Sequence, residues 1–282
     1  MNHRVLPGAP IPAVMGVLNV TPDSFSDGGL FADPEKALQR ARQMVEAGVD
    51  CLDIGGESTR PGAQPVSLGE ELERVCPVLE AIRGELTIPV SVDTSSPEVM
   101  REAARLGASL INDVRSFRRE GAVDAAGATG LPLCIMHMQG EPATMQDRPH
   151  YADDVVAEVL AFLRYRRDEL VAAGIAAERI MVDPGFGFGK SLEHNLRLLD
   201  RLETITAEDW PVLVGISRKS MLGRITGRGV EQRMPASVAA ASIAMIRGAS
   251  VVRVHDVVET LDAARLVRAL GELEKTEGQG HE

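Results

Sequence analysis

Short apolar runs alternate with longer amphipathic segments from one end of the chain to the other. Eight of these runs are largely unbroken by polar residues, as expected for parallel strands that are covered on both faces. They span residues 13–20, 49–54, 89–94, 109–114, 132–138, 179–183, 211–216 and 250–255. The segments between them repeat apolar residues at helical spacing, so the pattern predicts eight strands that alternate with helices.

Several predicted helices carry recognisable first and last residues. Asp33 and Ser96 each precede a proline, which places a capping side chain before proline at the first helical position. Ser67 and Glu70 have the spacing of a capping box. Five glycines stand just before the next strand, where a left-handed residue would end a helix. They are Gly48, Gly107, Gly130, Gly174 and Gly248.

Eight such units without a break in composition predict one closed (β/α)8 barrel, the TIM-barrel architecture of the α/β class. An open doubly wound sheet is the alternative, since strand order cannot be read from a single sequence. The length of 282 residues suits a single domain, because such barrels commonly run to roughly 250 residues. We expect residues 1–12 to form an N-terminal extension and residues 275–282 to form a frayed polar tail.

Composition narrows the possible partners. The formal net charge is −11 and aromatic residues make up only 3% of the chain, so neither nucleic acid nor an anionic membrane is expected as a partner. No stretch approaches the ~18 consecutive apolar residues of a membrane span. The three cysteines lack CxxC spacing and fit buried free thiols in a reducing cytosol. This predicts a cytoplasmic protein without a disulfide frame or zinc site.

The polar residues at the ends of the predicted strands are the main functional signal. In a barrel the loops after the strands build one face, and three of these loops are long: residues 21–32, 55–66 and 140–152. Polar residues end or follow nearly every strand: Asn19, Asp53, Asp93, Asn112, His137, Asp183, the segment from Ser217 to Ser220, Arg253 and His255. Any one of them could simply mark the end of a strand. Together they predict a polar ring at one mouth, because a buried carboxylate without a partner is costly.

Two carboxylates and an amide in this ring suit a flat nitrogen heterocycle. Asp93 and Asp183 can accept paired hydrogen bonds from a planar N–H edge, and Asn112 can supply both a donor and an acceptor. A general acid and base pair is the competing interpretation of the two carboxylates.

Basic residues and hydroxyls in the same ring suit an anion such as phosphate. The candidates are Arg60, Arg253, Lys219, His255, Thr59 and Ser217. Solvated surface charges are the alternative interpretation. No metal site of three or more side chains is evident from the sequence. Mg2+ held mainly by phosphate oxygens, with Asn19 as one protein ligand, is compatible with it.

Eight motifs in this order resemble the dihydropteroate synthase family of pterin-binding TIM barrels. They are residues 15–29 (MGVLNVTPDSFSDGG), 53–62 (DIGGESTRPG), 91–95 (SVDTS), 111–114 (INDV), 136–140 (MHMQG), 183–190 (DPGFGFGK), 215–220 (GISRKS) and 253–256 (RVHD). The resemblance runs from about residue 13 to about residue 270. It implies a transferase of folate biosynthesis that joins 6-hydroxymethyl-7,8-dihydropterin pyrophosphate to p-aminobenzoate and releases pyrophosphate.

The resemblance also implies a role for each part of the ring. The pterin would be held by Asp93, Asn112, Asp183 and Lys219, with Gly215 allowing its close approach. The pyrophosphate would be held by Asn19, Thr59, Arg253 and His255, with Mg2+ on Asn19. The p-aminobenzoate pocket, a target for sulfonamides, would be shaped by Phe25, Thr59, Pro61, Phe188, Lys219 and Ser220. Arg60, Met136 and Ser217 complete the expected substrate-binding set.

The mechanism that we expect from this set is dissociative. Pyrophosphate leaves first, drawn by Mg2+, Arg253 and His255, and the fields of Asp93, Asp183 and Asp27 stabilise a pterin-methylene cation. The aniline nitrogen attacks last. The expected catalytic residues are Asp27, Asp93, Asp183, Lys219, Arg253 and His255. An in-line displacement is the alternative.

Two other functions remain open from the sequence alone. A pterin-dependent methyltransferase domain would share the barrel and its carboxylates, although it has no need for the segments 58–61 and 217–220. A non-catalytic pterin-binding paralogue would not need Asp27, Thr59, Arg60 or Lys219, which are all present. The family further suggests a homodimer.

Overall fold

The computed structural model describes residues 6, 8–21, 33–58, 66–141, 144–147 and 149–279, with side chains described as far as residue 273. Within these ranges eight parallel strands alternate with helices. The strands are β1 (Ala13–Asn19), β2 (Cys51–Gly55), β3 (Val90–Asp93), β4 (Leu110–Asp113), β5 (Leu133–Met136), β6 (Ile180–Asp183), β7 (Leu213–Val214) and β8 (Val251–Val254).

Strand order shows that the sheet curls into a barrel. The strands pair in the order β6-β5-β4-β3-β2-β1-β8-β7, all in parallel, so the first strand and the last strand are neighbours. A single bridge between Val182 and Val212 joins β6 to β7 and closes the ring. The predicted (β/α)8 barrel is therefore confirmed, and the open doubly wound sheet is excluded.

Ten α-helices are found in the described part of the chain, and most of them cover the outside of the barrel. They are α1 (Pro34–Ala47), α2 (Leu68–Glu85), α3 (Pro97–Arg105), α4 (Ala122–Thr129), α5 (Val155–Ala172), α6 (Leu192–Asp200), α7 (Glu203–Thr206), α8 (Ser220–Thr226), α9 (Met234–Ile246) and α10 (Val257–Gln279). Helix α10 continues five residues into the segment from 275 that we expected to be a tail. The described chain holds no helix that is both long enough and apolar enough to cross a membrane.

The helix ends follow the sequence signals with one exception. Asp33 accepts hydrogen bonds from the first turn of α1, and Ser67 and Glu70 form the predicted capping box of α2. The five glycines at positions 48, 107, 130, 174 and 248 all have positive φ. Ser96 does not cap α3, because its hydroxyl donates instead to the buried carboxylate of Glu71 at 2.6 Å. The predicted capping hydrogen bond of Ser96 was therefore wrong, although α3 begins at the predicted proline.

The strands are mostly shorter than the apolar runs that predicted them. Strand β7 pairs over only two residues, Leu213 and Val214, whereas the run extends from 211 to 216. Val212 and Ile216 are nevertheless buried. Burial selects apolar residues whether or not they join the sheet hydrogen bonds, so an apolar run overestimates the length of a buried strand.

Alternation along each strand separates the inside of the barrel from the outside. The lower part of the interior is filled by an apolar cluster that includes Met15, Cys51, Leu110, Cys134, Met181, Leu213 and Val251. The residues two positions further along these strands face the same way, and most of these are polar. They are Val17, Asp53, Asn112, Met136, Asp183, Gly215 and Arg253. The apolar cluster is thus a floor, and the polar layer above it opens toward the mouth.

The three cysteines are free thiols, as predicted. Cys51 and Cys134 are buried in the apolar floor, and Cys76 on α2 is half-buried. Burial raises the pKa of all three thiols above the ordinary value.

Candidate active site

Arg253 lies at the centre of the polar layer and contacts two carboxylates. Its Nε donates to Oδ2 of Asp53 at 2.6 Å, and its Nη2 donates to Oδ2 of Asp93 at 3.2 Å. Asp53 is fully buried, whereas Arg253 keeps 21% of its side chain exposed at the mouth. Opposite charges at this depth interact strongly because water screens them little. The sequence predicted an anion site here, and the structure shows that protein carboxylates already hold the arginine.

The two carboxyl groups assigned to the heterocycle differ in how far burial raises their pKa values. Burial raises the pKa of Asp93 to about 8, even though Arg253 opposes the shift. Burial raises the pKa of Asp183 only to about 6, because the N–H of Gly185 donates to this carboxylate at 2.7 Å. Both carboxyl groups are thus harder to ionise than in water, Asp93 more so than Asp183. A carboxylate accepts hydrogen bonds and a protonated carboxyl also donates one, so the pair suits a ring edge that carries donors and acceptors.

Asn112 and Met136 complete this part of the wall. Asn112 is buried in β4 and lies opposite Asp93 in the strand register. Met136 is buried at the end of β5, opposite Asp183 in the register. Gly215 follows β7, and a Cβ added there would lie 3.9 Å from Oδ2 of Asp183. The missing side chain leaves the space above that carboxylate open.

The loop after β6, residues 184–191, packs backbone against backbone on the loop after β5. A Cβ on Gly185 would lie 1.9 Å from the carbonyl oxygen of His137, and one on Gly189 would lie 2.6 Å from that of Gln139. Both glycines have positive φ. Only glycine fits these positions, because a side chain would clash and the backbone conformation also disfavours it.

Lys190 stabilises this loop through hydrogen bonds from its buried side chain to backbone carbonyl oxygens. Its Nζ is buried and donates to the carbonyl oxygens of Gly185 at 2.9 Å and Phe188 at 3.2 Å, and it lies 2.9 Å from Nδ1 of His137. Burial lowers the pKa of Lys190 to about 7, and burial together with Lys190 lowers that of His137 well below its ordinary value. Lys190 was not among the site residues predicted from the sequence, although an isolated lysine in a run of glycine and phenylalanine is a usable signal.

Lys219 lies over the ring of Phe188, with its Nζ 4.0 Å from the ring centroid. A Cβ on Gly187 would lie 3.1 Å from Cδ of Lys219, so the loop after β6 also fixes the stem of this lysine. The positive charge of Lys219 lowers the pKa of Asp183. Ser220 is the exposed first residue of α8 and lies at the rim.

Ser217 and His255 connect the loops after β7 and β8. The backbone N–H of His255 donates to the hydroxyl of Ser217 at 3.2 Å, and Nδ1 of His255 lies 3.1 Å from the same oxygen. Burial and the nearby Arg253 lower the pKa of His255 to about 4. The imidazole is therefore neutral at pH 7 and acts as a hydrogen-bonding group without charge.

A second contact between these loops was also missed by the sequence analysis. Arg218 donates from Nε and Nη2 to the two oxygens of Asp256, at 3.1 and 2.6 Å. Arg218 has a φ of 58°, which is unfavourable for a residue with a side chain. Its own N–H donates to Ser237 at 2.9 Å, so several contacts hold it in this conformation.

The beginning of the loop after β2 is anchored on the loop after β4. Arg115 donates from both terminal nitrogens to Glu57, at 3.1 and 3.3 Å, and Arg74 donates to the carbonyl oxygen of Gly56 at 3.0 Å. Thr59, Arg60 and Pro61 follow in the sequence but lie outside the described residues. Phe25 and Asp27 in the loop after β1 do so as well.

Asn19 ends β1 on the same side of the mouth as Asp93. A Cβ added at Gly55 would lie 3.9 Å from Oδ1 of Asn19 and 3.8 Å from Oδ2 of Asp93. Among the described residues no group of three or more histidines, cysteines or acidic residues could hold a metal ion. The amide oxygen of Asn19 is a hard ligand that suits Mg2+ when anionic substrate oxygens supply the remainder.

The comparisons with known proteins agree on one kind of enzyme. A family described as pterin binding enzyme matches residues 15–255. The dihydropteroate synthase of Escherichia coli strain K12 is 53% identical and covers 92% of this chain and 91% of its own. That of Haemophilus influenzae is 50% identical over 92% of this chain and 94% of its own.

Solved structures give the same result. The Yersinia pestis dihydropteroate synthase with a sulfonamide drug has a TM-score of 0.89 and 51% identity, and covers 93% of this chain and 95% of its own. The Xanthomonas albilineans enzyme in complex with 7,8-dihydropteroate has a TM-score of 0.83 and 46% identity, over 93% and 94% of the two chains. These similarities extend over the whole barrel.

Proposed function

This chain belongs to the dihydropteroate synthase family of pterin-binding enzymes, transferases of folate biosynthesis, and we propose that the polar layer of its barrel is the catalytic site. The reaction condenses 6-hydroxymethyl-7,8-dihydropterin pyrophosphate with p-aminobenzoate to give 7,8-dihydropteroate and pyrophosphate. The observation that carries the assignment of the site is the convergence of the buried carboxyl groups of Asp93 and Asp183 with the positive charges of Arg253 and Lys219 at one mouth.

The pterin fits the inner part of this mouth. Its ring carries an amino group and an N–H beside acceptor atoms, so Asp183 would accept from the donor edge while Asp93 and Asn112 meet atoms of both kinds. Lys219 would meet a ring acceptor from the opposite side, and Gly215 leaves room for the flat ring. Met136 would form part of the apolar wall beside it.

The pyrophosphate fits the outer part, where Arg253, His255 and Ser217 converge. Arg253 would supply charge, and neutral His255 and the hydroxyl of Ser217 would supply hydrogen bonds. Asn19 would hold Mg2+ together with phosphate oxygens. When bound, Mg2+ would neutralise negative charge on the departing pyrophosphate. Thr59 and Arg60 belong to this proposal through the family resemblance.

The p-aminobenzoate ring fits against Phe188, between the stem of Lys219 and the rim residue Ser220. Phe25, Thr59 and Pro61 would complete the pocket, again by family resemblance. The Yersinia pestis relative binds a sulfonamide drug. We expect sulfonamides to compete with p-aminobenzoate in this chain too.

The proposed mechanism is dissociative. The carboxylates of Asp183 and Asp93, together with Asp27 from the loop after β1, stabilise positive charge on the pterin methylene carbon as the C–O bond to pyrophosphate breaks. The aniline nitrogen of p-aminobenzoate then forms the C–N bond and loses a proton. If bond cleavage strictly requires p-aminobenzoate, the in-line displacement is correct instead.

The test is pyrophosphate release from the pterin pyrophosphate with Mg2+, with and without p-aminobenzoate, for the wild type and Lys219→Ala. Release coupled to dihydropteroate formation and lost in Lys219→Ala supports the assignment. Tight pterin binding without release would indicate the non-catalytic paralogue, and methyl transfer would indicate the methyltransferase. Absence of pterin binding would refute the assignment of the polar layer.

The assembly and location of the chain are part of the same proposal. Helices α9 and α10 pack on each other and carry exposed large apolar side chains: Ile243, Ile246, Val258, Leu266, Leu270 and Leu273. Exposed apolar residues gathered on two adjacent helices favour an interface. We expect a cytoplasmic, single-domain protomer that forms a homodimer. A monomer mass in analytical ultracentrifugation at micromolar concentration would contradict the dimer.

A further inference from the structure

We propose that Asp53 is a positioning residue for Arg253, and that its negative charge determines how much of the arginine's positive charge remains available to Asp93 and the substrate. The inference rests on the proposed function, because Arg253 is assigned there to the pyrophosphate. It goes further by giving a role to a buried residue that would not touch any substrate.

The first step is the geometry of the guanidinium group. Nε and Nη2 lie on one edge of the group, and both donate to carboxylates: Nε to Asp53 and Nη2 to Asp93. The contact to Asp53 is the shorter of the two, 2.6 against 3.2 Å. With this edge fixed, the Nη1 end and the flat faces of the guanidinium are turned away from the two acids. Asp53 thereby sets the orientation in which Arg253 meets a ligand.

The second step is the unusual position of Asp53 in the barrel. It is fully buried in β2, directly above Cys51 in the apolar floor. Within the described structure its second oxygen, Oδ1, has no hydrogen-bond partner, and neither does the hydroxyl of Ser91, which is opposite Asp53 in the register. An incompletely bonded buried carboxylate destabilises a fold, and an apolar residue would pack there more favourably. The ion pair with Arg253 is the feature that an apolar residue could not provide.

The third step is the charge balance around Asp93. Burial is the largest influence on the pKa of this carboxyl and raises it; among the charged groups Arg253 lowers the pKa, and Asp53, Asp113 and Glu71 raise it. Asp53 and Asp93 share one arginine. If Asp53 lost its charge, Asp93 would keep its hydrogen bond from Arg253 without the repulsion of a neighbouring buried charge, and the carboxyl of Asp93 would ionise more readily.

The test compares Asp53→Asn with Asp50→Asn. Both variants replace a carboxylate by an amide of the same size at or just before β2, and both carboxylates pair with an arginine. Asp50 pairs with Arg268 at 2.8 Å at the opposite end of the barrel, so it controls for the loss of a partly buried ion pair. Circular dichroism and thermal unfolding establish that each variant is folded.

We expect Asp53→Asn to lower kcat/KM for the pterin pyrophosphate by roughly 10- to 100-fold, because the loss of the arginine's orientation outweighs the positive charge that is freed. KM for p-aminobenzoate should change less than about twofold, because that ring is proposed to lie against Phe188. Asp50→Asn should retain wild-type kinetics. Equal losses in both folded variants, or unchanged kinetics in Asp53→Asn, would overturn the proposal.

A second readout needs no turnover and so separates this proposal from the proposed function. The carboxyl carbon of Asp93, assigned with an Asp93→Asn variant, is titrated by NMR in the wild type and both test variants. We expect its pKa to fall in Asp53→Asn and to stay in place in Asp50→Asn. An unmoved titration in Asp53→Asn would overturn the charge-sharing role even if the wild type released no pyrophosphate. Should Asp53→Asn not fold, Asp53→Ser is titrated in its place, and an unmoved pKa of Asp93 in folded Asp53→Ser would overturn the charge-sharing role.

Discussion

Replacement of Lys190 by methionine should remove a pH dependence from the stability of the protein. Lys190 is the buried lysine whose Nζ bonds the loop after β6, and methionine fills a similar volume without a titratable group. Burial lowers the pKa of this lysine to about 7 in the folded chain, from an ordinary value of 10.5. The unfolded chain exposes it to water and restores the ordinary value.

The size of the effect follows from proton linkage. Between pH 7 and 10.5 the unfolded chain binds a proton on Lys190 that the folded chain has released. Stability conferred by this position therefore rises with pH through that window, by about 1.3 kcal/mol per pH unit for one proton. Asp93 titrates in both proteins, so its contribution cancels in the comparison with Lys190→Met. Lys190 lowers the pKa of Asp183, which is about 6, so the comparison is made at pH 8 and above.

The assay is urea unfolding of the wild type and Lys190→Met at pH 8.0, 8.5 and 9.0. The free energy of unfolding of the wild type minus that of the variant should increase by about 1.3 kcal/mol across this range. Lys36→Met serves as the control, because it removes an exposed lysine on α1 in place of a buried one. Its difference from the wild type should not change with pH.

Parallel curves for the wild type and Lys190→Met would refute the reasoning. They would mean that the folded protein keeps Lys190 protonated through pH 9, so that the carbonyl oxygens around Nζ compensate its burial in full. A difference that shrinks with pH would show that the folded state binds this proton more tightly than the unfolded chain does.

Three further results are expected. In chemical unfolding, Gly185→Ala should destabilise the fold by more than about 3 kcal/mol, because its Cβ would lie 1.9 Å from a backbone oxygen. Gly174→Ala is the control, because Gly174 also has positive φ but a Cβ there would have no atom within 4 Å. This variant should lose only about 1 kcal/mol. The ring carbons of His255 should report a neutral imidazole by NMR from pH 8 down to about 5, and a midpoint above 6 would contradict its burial beside Arg253. Arg218→Ala and Asp256→Ala should each lower kcat, because each removes the same ion pair between the loops after β7 and β8. The kcat of the double variant should be no lower than that of the more severe single variant. Additive losses would show that the two residues act separately.

The barrel could be predicted from the sequence because each unit repeats local signals. Gly48 and Ser67 mark helix ends through their own backbone and side-chain preferences, which need no knowledge of distant residues. Ser96 has the same kind of signal and makes a different contact, because α2 brings the carboxylate of Glu71 next to it. Local patterns therefore predict the helices and strands, but they do not predict whether a capping side chain bonds its own helix or a residue of another helix.

The sequence predicted which residues form the site better than it predicted the contacts between them. Asp93, Asp183 and Arg253 could be selected because polar residues at strand ends are unusual in an apolar repeat. The contact of Arg253 with Asp53 joins residues 200 positions apart in the sequence, and it exists because β8 closes on β1 beside β2. Closure is a property of the whole chain, so no local pattern could show that this arginine is already paired.

The joint between β6 and β7 is the part of the barrel sheet where local opening should need the least free energy. One bridge between Val182 and Val212 closes it, whereas the other neighbouring strands share at least two register pairs. Local openings need the least energy where the fewest hydrogen bonds break, so amide protons at this joint should exchange with solvent before those of β1 and β2. Asp183 and Gly215 lie just beyond it. Opening at this joint alone would widen the mouth beside Asp183 and Gly215 for a flat ligand, while the other strands keep their hydrogen bonds.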